Sequence, residues 1–349
     1  MKAARMKKIK IGQIGIGHNH GSEKMRALRA HPDVFEVVGV TEPDPRWREK
    51  RGNLDVYQGL PFLTEEELYS IPGLEAVAVE TDGKELIPAA LRAAERGVHI
   101  HLDKPGGESL PEFRKLTELC KEKSLALQLA YVYRYNPAIQ FCVNAVRDGW
   151  LGDVFEIHAV MSRWDGDEYR AWLSQFRGGA MYIFAGYLID LVLQMLGEPQ
   201  KITPFLKQTR ADGLVDNGLA VLEYPKATAT VRVSVDEVDG MKHRRLIVCG
   251  TNGTFEHCPI EFSSDKEYRT RPLMPRLTLK EPRGGFEAGT RQVDLGPMGG
   301  RYDAQLLEFA RIVRGEINNP FGYEHELLLH RCLLASCGYI SGNFEEEKK

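Results

Sequence analysis

Cysteine, tryptophan and a strong charge of either sign are all scarce in this chain. The six cysteines (Cys120, Cys142, Cys249, Cys258, Cys332 and Cys337) among 349 residues form no CxxC pair and follow no metal spacing. That argues against a disulfide framework or a zinc module and fits scattered reduced thiols in the cytoplasm. A net charge of −3 gives neither a nucleic-acid footprint nor a polyanion surface. Long apolar runs are missing too, so no segment approaches a membrane span. The basic head Met1 to Lys10 is short, and the apolar run after it is broken by Gly12, Gly15 and Gly17, so it reads as a lead-in to a strand and not as a signal peptide. What is present, 43% apolar and 27% charged residues, describes a globular chain long enough for two domains.

The first third alternates short apolar runs with helical stretches, the pattern of βαβ units and a parallel sheet. Strands are expected at Lys8 to Ile16, Val34 to Val40, Ala76 to Val79, Val98 to Leu102 and Leu125 to Ala130, five in all. Helices are expected at Ser22 to Ala30, Leu63 to Tyr69, Leu86 to Arg96 and Leu110 to Lys123. After a helix near Pro137 to Asp148 the chain becomes strand-rich. Alternation appears in Val154 to Met161, Gly218 to Tyr224, Thr228 to Val235 and Arg244 to Cys249, with a hairpin turn at Thr251-Asn252-Gly253-Thr254. One helix, Gly186 to Leu196, interrupts these strands, and 263 to 300 reads as irregular. Two helices close the chain, Tyr302 to Arg314 and His325 to Tyr339. The expected class is therefore α/β: an N-terminal doubly wound parallel sheet (1–136) and a C-terminal α+β domain with a mixed sheet (137–349), the last helices returning to the first domain.

Gly15-Ile16-Gly17 falls directly between a strand and a helix. The first glycine permits the tight turn, and the second lets backbone approach a pyrophosphate held at the helix N-terminus. The third small residue of the usual fingerprint falls at His20, with Gly21 one place later. Glu42 ends the second strand, 25 residues after Gly17, where a carboxylate accepts from a ribose 2′-hydroxyl and repels a 2′-phosphate. NAD is thus favoured over NADP, with Arg46 nearby as a counter-indication. The bland alternative is a pair of turn glycines and a solvated glutamate. His18 and His20 flank the loop with only Asn19 between them. No nearby carboxylate or cysteine completes a ligand set, so they are expected beside the cofactor and no metal is expected.

Leu102-Asp103-Lys104-Pro105 closes the fourth strand, and open α/β sheets bind ligands at the carboxyl ends of their strands. An ammonium at an apolar strand end loses hydration and becomes a usable acid/base. Lys104 is the candidate catalytic residue, with Asp103 tuning it.

With these motifs the chain resembles the glucose-fructose oxidoreductase/inositol dehydrogenase/rhizopine catabolism family over nearly its whole length. The likeness rests on Ile11 to Gly17, on Val37 to Asp44 with Glu42 as the ribose acid, and on Ala90 to Pro105 with Asp103-Lys104-Pro105 similar to the family's Glu-Lys-Pro. It continues in Arg134-Tyr135-Asn136-Pro137, Gly178-Gly179-Ala180-Met181 and Leu188-Ile189-Asp190-Leu191. It implies an NAD-binding Rossmann domain, a mixed open-faced sheet that associates as a homodimer or homotetramer, and redox chemistry on sugars or polyols. Gly15, Gly17, His18, Asn19, Glu42, Thr81, Lys104 and Arg134 would then lie at the cofactor. Two departures stand out. The family's Pro-Asn and His after the third strand are replaced by Glu80-Thr81-Asp82-Gly83-Lys84. Its Asp and His on the catalytic helix are replaced by Phe184 and, allowing one deletion, Tyr187. Tyr187 is a candidate proton relay or a packing residue, and Asp190 one turn on either orients Lys104 or packs the helix.

Trp164, Arg170 and Trp172 suit the apolar face and hydroxyl rim of a sugar ring, or alternatively an oligomer interface. The activity expected is hydride transfer between nicotinamide and a secondary hydroxyl of a sugar, polyol or glycoside. Redox-neutral elimination or epimerisation with bound NAD, and a non-catalytic NAD- or sugar-binding protein, are the rival expectations.

Overall fold

The computed structural model describes residues 7–345; the first six residues of the basic head lie outside it. The chain divides into two compact units, 1–130 with 302–327 and 131–301 with 328–349. The division falls at 130/131, earlier than the position 136 expected from sequence. Tyr131 to Tyr135 form a turn whose amides bond among themselves, Arg134 N to Tyr131 O and Asn136 N to Tyr133 O, so the turn belongs with the helix it precedes.

The first unit carries a six-stranded, all-parallel sheet in the order β3-β2-β1-β4-β5-β6. Its strands are β1 (Ile9–Ile14), β2 (Phe35–Thr41), β3 (Phe62–Leu63), β4 (Ala76–Val79), β5 (His99–Leu102) and β6 (Leu127–Leu129). Six strands replace the five expected, because β3 is a two-residue edge pairing too short to leave a period-2 signal. Every residue of β4 is buried, as a parallel sheet covered on both faces requires. Helix α1 (Gly21–Ala30) follows β1 and α2 (Pro45–Arg51) follows β2. The capped turn α3 (Glu65–Tyr69) follows β3, with Thr64 and Glu67 forming a reciprocal capping box. Helix α4 (Leu86–Glu95) buries Leu86, Ala89, Ala90, Ala93 and Ala94 at i, i+3, i+4, i+7 and i+8, and α5 (Leu110–Glu122) starts on a Ser109 cap.

The second unit opens with α6 (Pro137–Arg147), capped by Asn136. It holds an eight-stranded mixed sheet, ordered β14-β13-β12-β11-β7-β10-β9-β8. The strands are β7 (Val154–Ser162), β8 (Lys201–Lys207), β9 (Asn217–Glu223), β10 (Thr228–Ser234), β11 (Arg245–Gly250), β12 (Gly253–His257), β13 (Arg276–Leu279) and β14 (Gly289–Gln292). Only β7 and β10 pair in parallel. The Asn252-Gly253 turn joins β11 to β12 as expected. The stretch 263–300 is less irregular than its composition suggests: a short helix α9 (Asp265–Thr270), β13 and β14 lie in it, the two strands pairing despite the Gly-rich link between them.

After the short helix α7 (Asp167–Leu173), helix α8 (Gly179–Leu196) lies against β7, β9 and β10. It runs seven residues further toward the N-terminus than expected. Its 18 residues have a mean hydropathy of 1.6, so the expectation that no segment reaches membrane-span length and apolarity is corrected. That helix is 83% buried inside its own unit, and apolar side chains all round it answer to packing on every side. The chain then returns to the first unit through α10 (Asp303–Val313), and α11 (Tyr323–Ser336) passes from one unit to the other in sequence.

Candidate functional site

The site builds outward from the carboxyl end of β1. Gly15 has φ +84°, a conformation that side chains rarely adopt, and a Cβ there would stand 2.5 Å from the Thr81 Cα. A Cβ on Gly17 would meet Trp47 Nε1 at 2.9 Å and Asp82 N at 3.0 Å. Both glycines are therefore fixed by close approach of the loop after β4. Sheet order reverses between β1 and β4, the place where open α/β sheets open a crevice. Arg51, which sequence reasoning missed, donates to the carbonyls of Ile16, Gly17 and His18 at 3.0, 2.9 and 2.6 Å and to Asn19 Oδ1 at 2.8 Å. It clamps the loop while stacking over Trp47.

Glu42 is buried at the end of β2 and accepts from the Ile16 amide at 2.7 Å and the Asp44 amide at 2.9 Å. Burial pushes its carboxyl upward, partly offset by those amides. Arg46 is held by Asp44 through two donors, the shorter at 2.6 Å. Helix α1 begins without a side-chain cap, and the positive end of its dipole favours an anion. Thr81 Oγ1 and Trp47 Nε1, flanking the two glycines, are buried with no hydrogen-bond partner. Close-packed glycines, a carboxylate at the second strand end and these two orphaned groups fit a dinucleotide.

Lys104 follows β5 and is 2% exposed. Asp103 accepts from the Lys104 amide at 2.7 Å, but its carboxylate otherwise serves different partners from those expected. His20 Nδ1 lies 3.1 and 3.3 Å from its two oxygens, His18 Nδ1 3.3 Å from Oδ2, and Lys24 Nζ 3.8 Å from Oδ2. Burial alone would raise the Asp103 carboxyl, but His18, His20 and Lys24 together hold it well below the usual range. One expectation is thereby corrected. His18 and His20 do share a carboxylate, because β5 delivers Asp103 beside the loop from 83 residues away, a proximity that sequence spacing cannot show. The ligand atoms of His18, His20 and Asp103 lie within 4.8 Å of one another. Lys24 stands beside them: the imidazole nitrogens face the carboxylate, and the ammonium lies 3.8 Å from the same oxygen, Oδ2.

Lys24, Glu80, His101 and Gln128 complete this buried cluster and were not singled out from sequence. One trace was available: Lys24 falls with Gly21, Met25 and Leu28 on the buried stripe of α1, an odd place for an ammonium.

The remaining candidates lie in the second unit. Arg134 and Asp190 face each other, Nε to Oδ2 at 3.0 Å and Nη2 to Oδ1 at 2.8 Å, both fully buried. This bidentate pair joins two residues that the sequence left unconnected: a desolvated guanidinium needs a carboxylate, and Asp190 supplies it. Arg170 is likewise buried and donates to Asp212 and Asp216 at 2.7 and 2.8 Å, a structural pairing in place of the expected sugar contact. Trp172 stacks on Tyr169 and meets Phe176 edge-on, while Trp164 is 57% exposed. Tyr187 is 2% exposed on α8, its ring against Tyr131 at 5.5 Å and Tyr133 at 5.1 Å.

Residues 9–131 match the family model described as the oxidoreductase family's NAD-binding Rossmann fold, and 139–256 match that of the GFO/IDH/MocA C-terminal domain. The chain belongs to the GFO/IDH/MocA oxidoreductase family. An uncharacterized oxidoreductase of Schizosaccharomyces pombe is 25% identical over 263 residues, covering 72% of this chain and 71% of its own. The 2,7-anhydro-N-acetylneuraminate hydratase of Escherichia coli is 22% identical over 199 residues, covering 56% and 52%. Among solved structures, an Agrobacterium radiobacter oxidoreductase in complex with NAD+, L-tartaric acid and magnesium superimposes with a TM-score of 0.77 at 15% identity, covering 95% of this chain and 97% of that one. A Desulfitobacterium hafniense protein described as NADPH-dependent gives 0.78 at 18% identity, covering 99% and 97%. At these identities the structures establish the shared fold. The GFO/IDH/MocA Rossmann domain binds a nicotinamide dinucleotide, and neighbours of this chain hold either NAD or NADP.

Proposed function

We propose that this GFO/IDH/MocA member is an NAD-dependent oxidoreductase acting on a secondary hydroxyl of a sugar, polyol or glycoside. The observation that carries the proposal is Lys104, buried at the carboxyl end of β5 in the same unit as the Gly15-Ile16-Gly17 loop. When bound, the nicotinamide accepts or returns the hydride. The glycine loop and the α1 N-terminus hold the pyrophosphate, with Arg51 keeping the loop in shape. Glu42, oriented by two amides, accepts from the adenosine ribose, and Arg46 is engaged by Asp44, which supports NAD over NADP. Lys104 Nζ takes the hydroxyl proton during oxidation and returns it during reduction.

The test is a spectrophotometric screen of NAD and NADP with sugars, inositols and glycosides, using wild type, Lys104→Ala and Tyr187→Phe. Net reduction of NAD that disappears in Lys104→Ala supports the proposal, and turnover surviving that change sinks it. Unaltered turnover in Tyr187→Phe assigns Tyr187 to packing.

A redox-neutral cycle, in which the hydride returns to the product, is the second reading. It is favoured by similarity to proteins named 2,7-anhydro-N-acetylneuraminate hydratase from two bacteria. Product formation without net NADH would select it.

We also propose that the second unit's sheet pairs with another copy of the chain. Phe205, Leu219, Val221 and Ile247 stand on one face of that sheet, opposite the residues buried toward α8, and Phe205 is 51% exposed. A monomer by light scattering, unchanged in Val221→Glu, would reject this.

A further inference from the structure

The cluster behind Asp103 holds more titratable groups than binding a dinucleotide requires. Lys24 Nζ lies 2.8 Å from His101 Nε2 and 3.1 Å from Glu80 Oε1, with Asp103 Oδ2 at 3.8 Å. Lys24, Glu80, His101 and Asp103 are all 0% exposed. Some protons can be placed by donor logic. An ammonium only donates, so His101 Nε2 accepts from Lys24, and His101 Nδ1 carries the hydrogen given to Gln128 Oε1 at 2.9 Å. His101 is therefore neutral. Lys24 is cationic between two carboxylates.

Two places remain where the proton count is not fixed. Neither oxygen of Glu80 has a hydrogen-bond partner of good geometry, despite complete burial. Nδ1 of His18 is 3.2 Å from the His20 amide and 3.3 Å from Asp103 Oδ2. Bare, it satisfies the amide and opposes the carboxylate acceptor to acceptor; protonated, it does the reverse. With Lys104 neutral, as the base that awaits the hydroxyl proton, two carboxylates and the Lys24 ammonium leave one uncompensated buried charge, which a further proton on Glu80 or in the histidine–Asp103 group cancels. Burial and Asp103 push the Glu80 carboxyl well up, and burial pushes His18 well down. The other groups facing the cluster are Lys104, which lowers His18, the Tyr57 phenol, whose own proton Glu80 helps to hold, and Tyr302 beside His20 and Lys24.

We propose that the Lys24–Glu80–Asp103–His20 cluster stores one exchangeable proton whose occupancy follows the charge of the bound dinucleotide, fuller beside NADH than beside NAD+. The inference rests on the NAD-binding reading of the same unit. Oxidation of an alcohol by NAD+ yields ketone, NADH and one proton, and such a store retains that proton inside the protein for the reverse step. Lys24 and Glu80 are positioning residues on this account, acting through Asp103 and His20.

The experiment is titration calorimetry of the full chain with NAD+ and with NADH, without substrate, in two buffers of different ionisation enthalpy between pH 6 and 8. We expect NADH binding to take up about one proton more than NAD+ binding. The ratio of NADH to NAD+ affinity should then rise up to about tenfold per unit fall in pH. In Glu80→Gln the difference should vanish, and in His20→Asn it should shrink; because both variants must still bind NAD+ to be scored, either one decides if the other fails to fold. Equal proton exchange for the two nucleotides in wild type, or a difference persisting in both variants, overturns the store while leaving the NAD-binding reading intact. Absence of binding by either nucleotide overturns that reading and the store with it.

Discussion

The two units bury charge in different ways. In the second unit buried charge is built on arginine: Arg134 with Asp190, Arg170 with Asp212 and Asp216, Arg244 and Arg301 with Glu261. Guanidinium does not lose its proton in proteins and grips carboxylate through a rigid fork, so these pairs fix geometry and stay charged. Glu261 illustrates it. Burial would raise its carboxyl, but Arg301 and Arg244 hold it well below the usual range. In the first unit the buried cations and donors are lysine and histidine, groups that exchange protons, gathered at the carboxyl ends of β1, β4 and β5. The contrast teaches where to look for chemistry: burial alone marks neither unit, and the second has buried histidines too, His257 and His330, but proton-exchanging groups gathered around shared carboxylates mark the first.

The sharpest separation should come from Lys104→Ala. Turnover is expected to fall by about 10³-fold or more, with NAD binding still detectable; a collapse of thermal stability would erase the contrast. Asp190→Ala should do the opposite. Leaving Arg134 buried without its carboxylate is expected to cost about 3–5 kcal/mol in denaturant unfolding of the second unit, while NAD still binds. Gly15→Ala forces a positive φ on a side chain that meets Thr81 backbone, and should weaken NAD binding at least about tenfold by fluorescence titration. The buried histidines of both units should respond to acid with one sign, opposite to that of raised carboxyls such as Glu80 and Glu42. Burial lowers His257 to about 4 and His330 to about 3 in the second unit, and lowers His18 and His101 in the first. The unfolded chain binds protons near pH 6.5 that the folded chain refuses. Stability is therefore full above about pH 6.5 and falls as pH drops toward the folded values, a trend that melting curves from pH 7 to 4 should show. The smallest effect is expected from Lys121→Ala, whose partner Glu324 is also exposed; its melting curve should overlay that of wild type.

Much of the first unit was legible because its signals are local. The β1 run, the Gly15-Ile16-Gly17 turn, Glu42 at the end of β2 and Lys104 after β5 all sit where a βαβ period puts them. The cluster around Asp103 was not legible, since α1, β4, β5 and β6 contribute Lys24, Glu80, His101 and Gln128 from positions up to 104 residues apart, and nothing in any one segment announces the others. The N-terminal half of α8 was lost for a different reason: from Gly179 to Tyr187 every residue is buried, so no polar face marks the period. Arg134, Asp190 and Arg170 were recognised as unusual but their partners were not foreseen, because a functional arginine and one neutralised by its own chain read alike until the partner is seen.

The first unit is finished by chain from far downstream. Asp303 pairs with His31, Arg314 reaches the Val34 carbonyl, and the Tyr323 hydroxyl donates to the Leu125 carbonyl, contacts spanning 198 to 280 residues of sequence. During translation, residues 131–301 leave the ribosome while the parallel sheet still lacks α10 and its closing bonds. Each unit therefore waits on distant chain: the parallel sheet on α10, and the mixed sheet on residues beyond 328, where the Gly342 carbonyl accepts from Ile202 N and the Phe344 amide donates to the Gln200 carbonyl. Nascent chains stalled before Tyr302 should accordingly leave both units readily cleaved by protease.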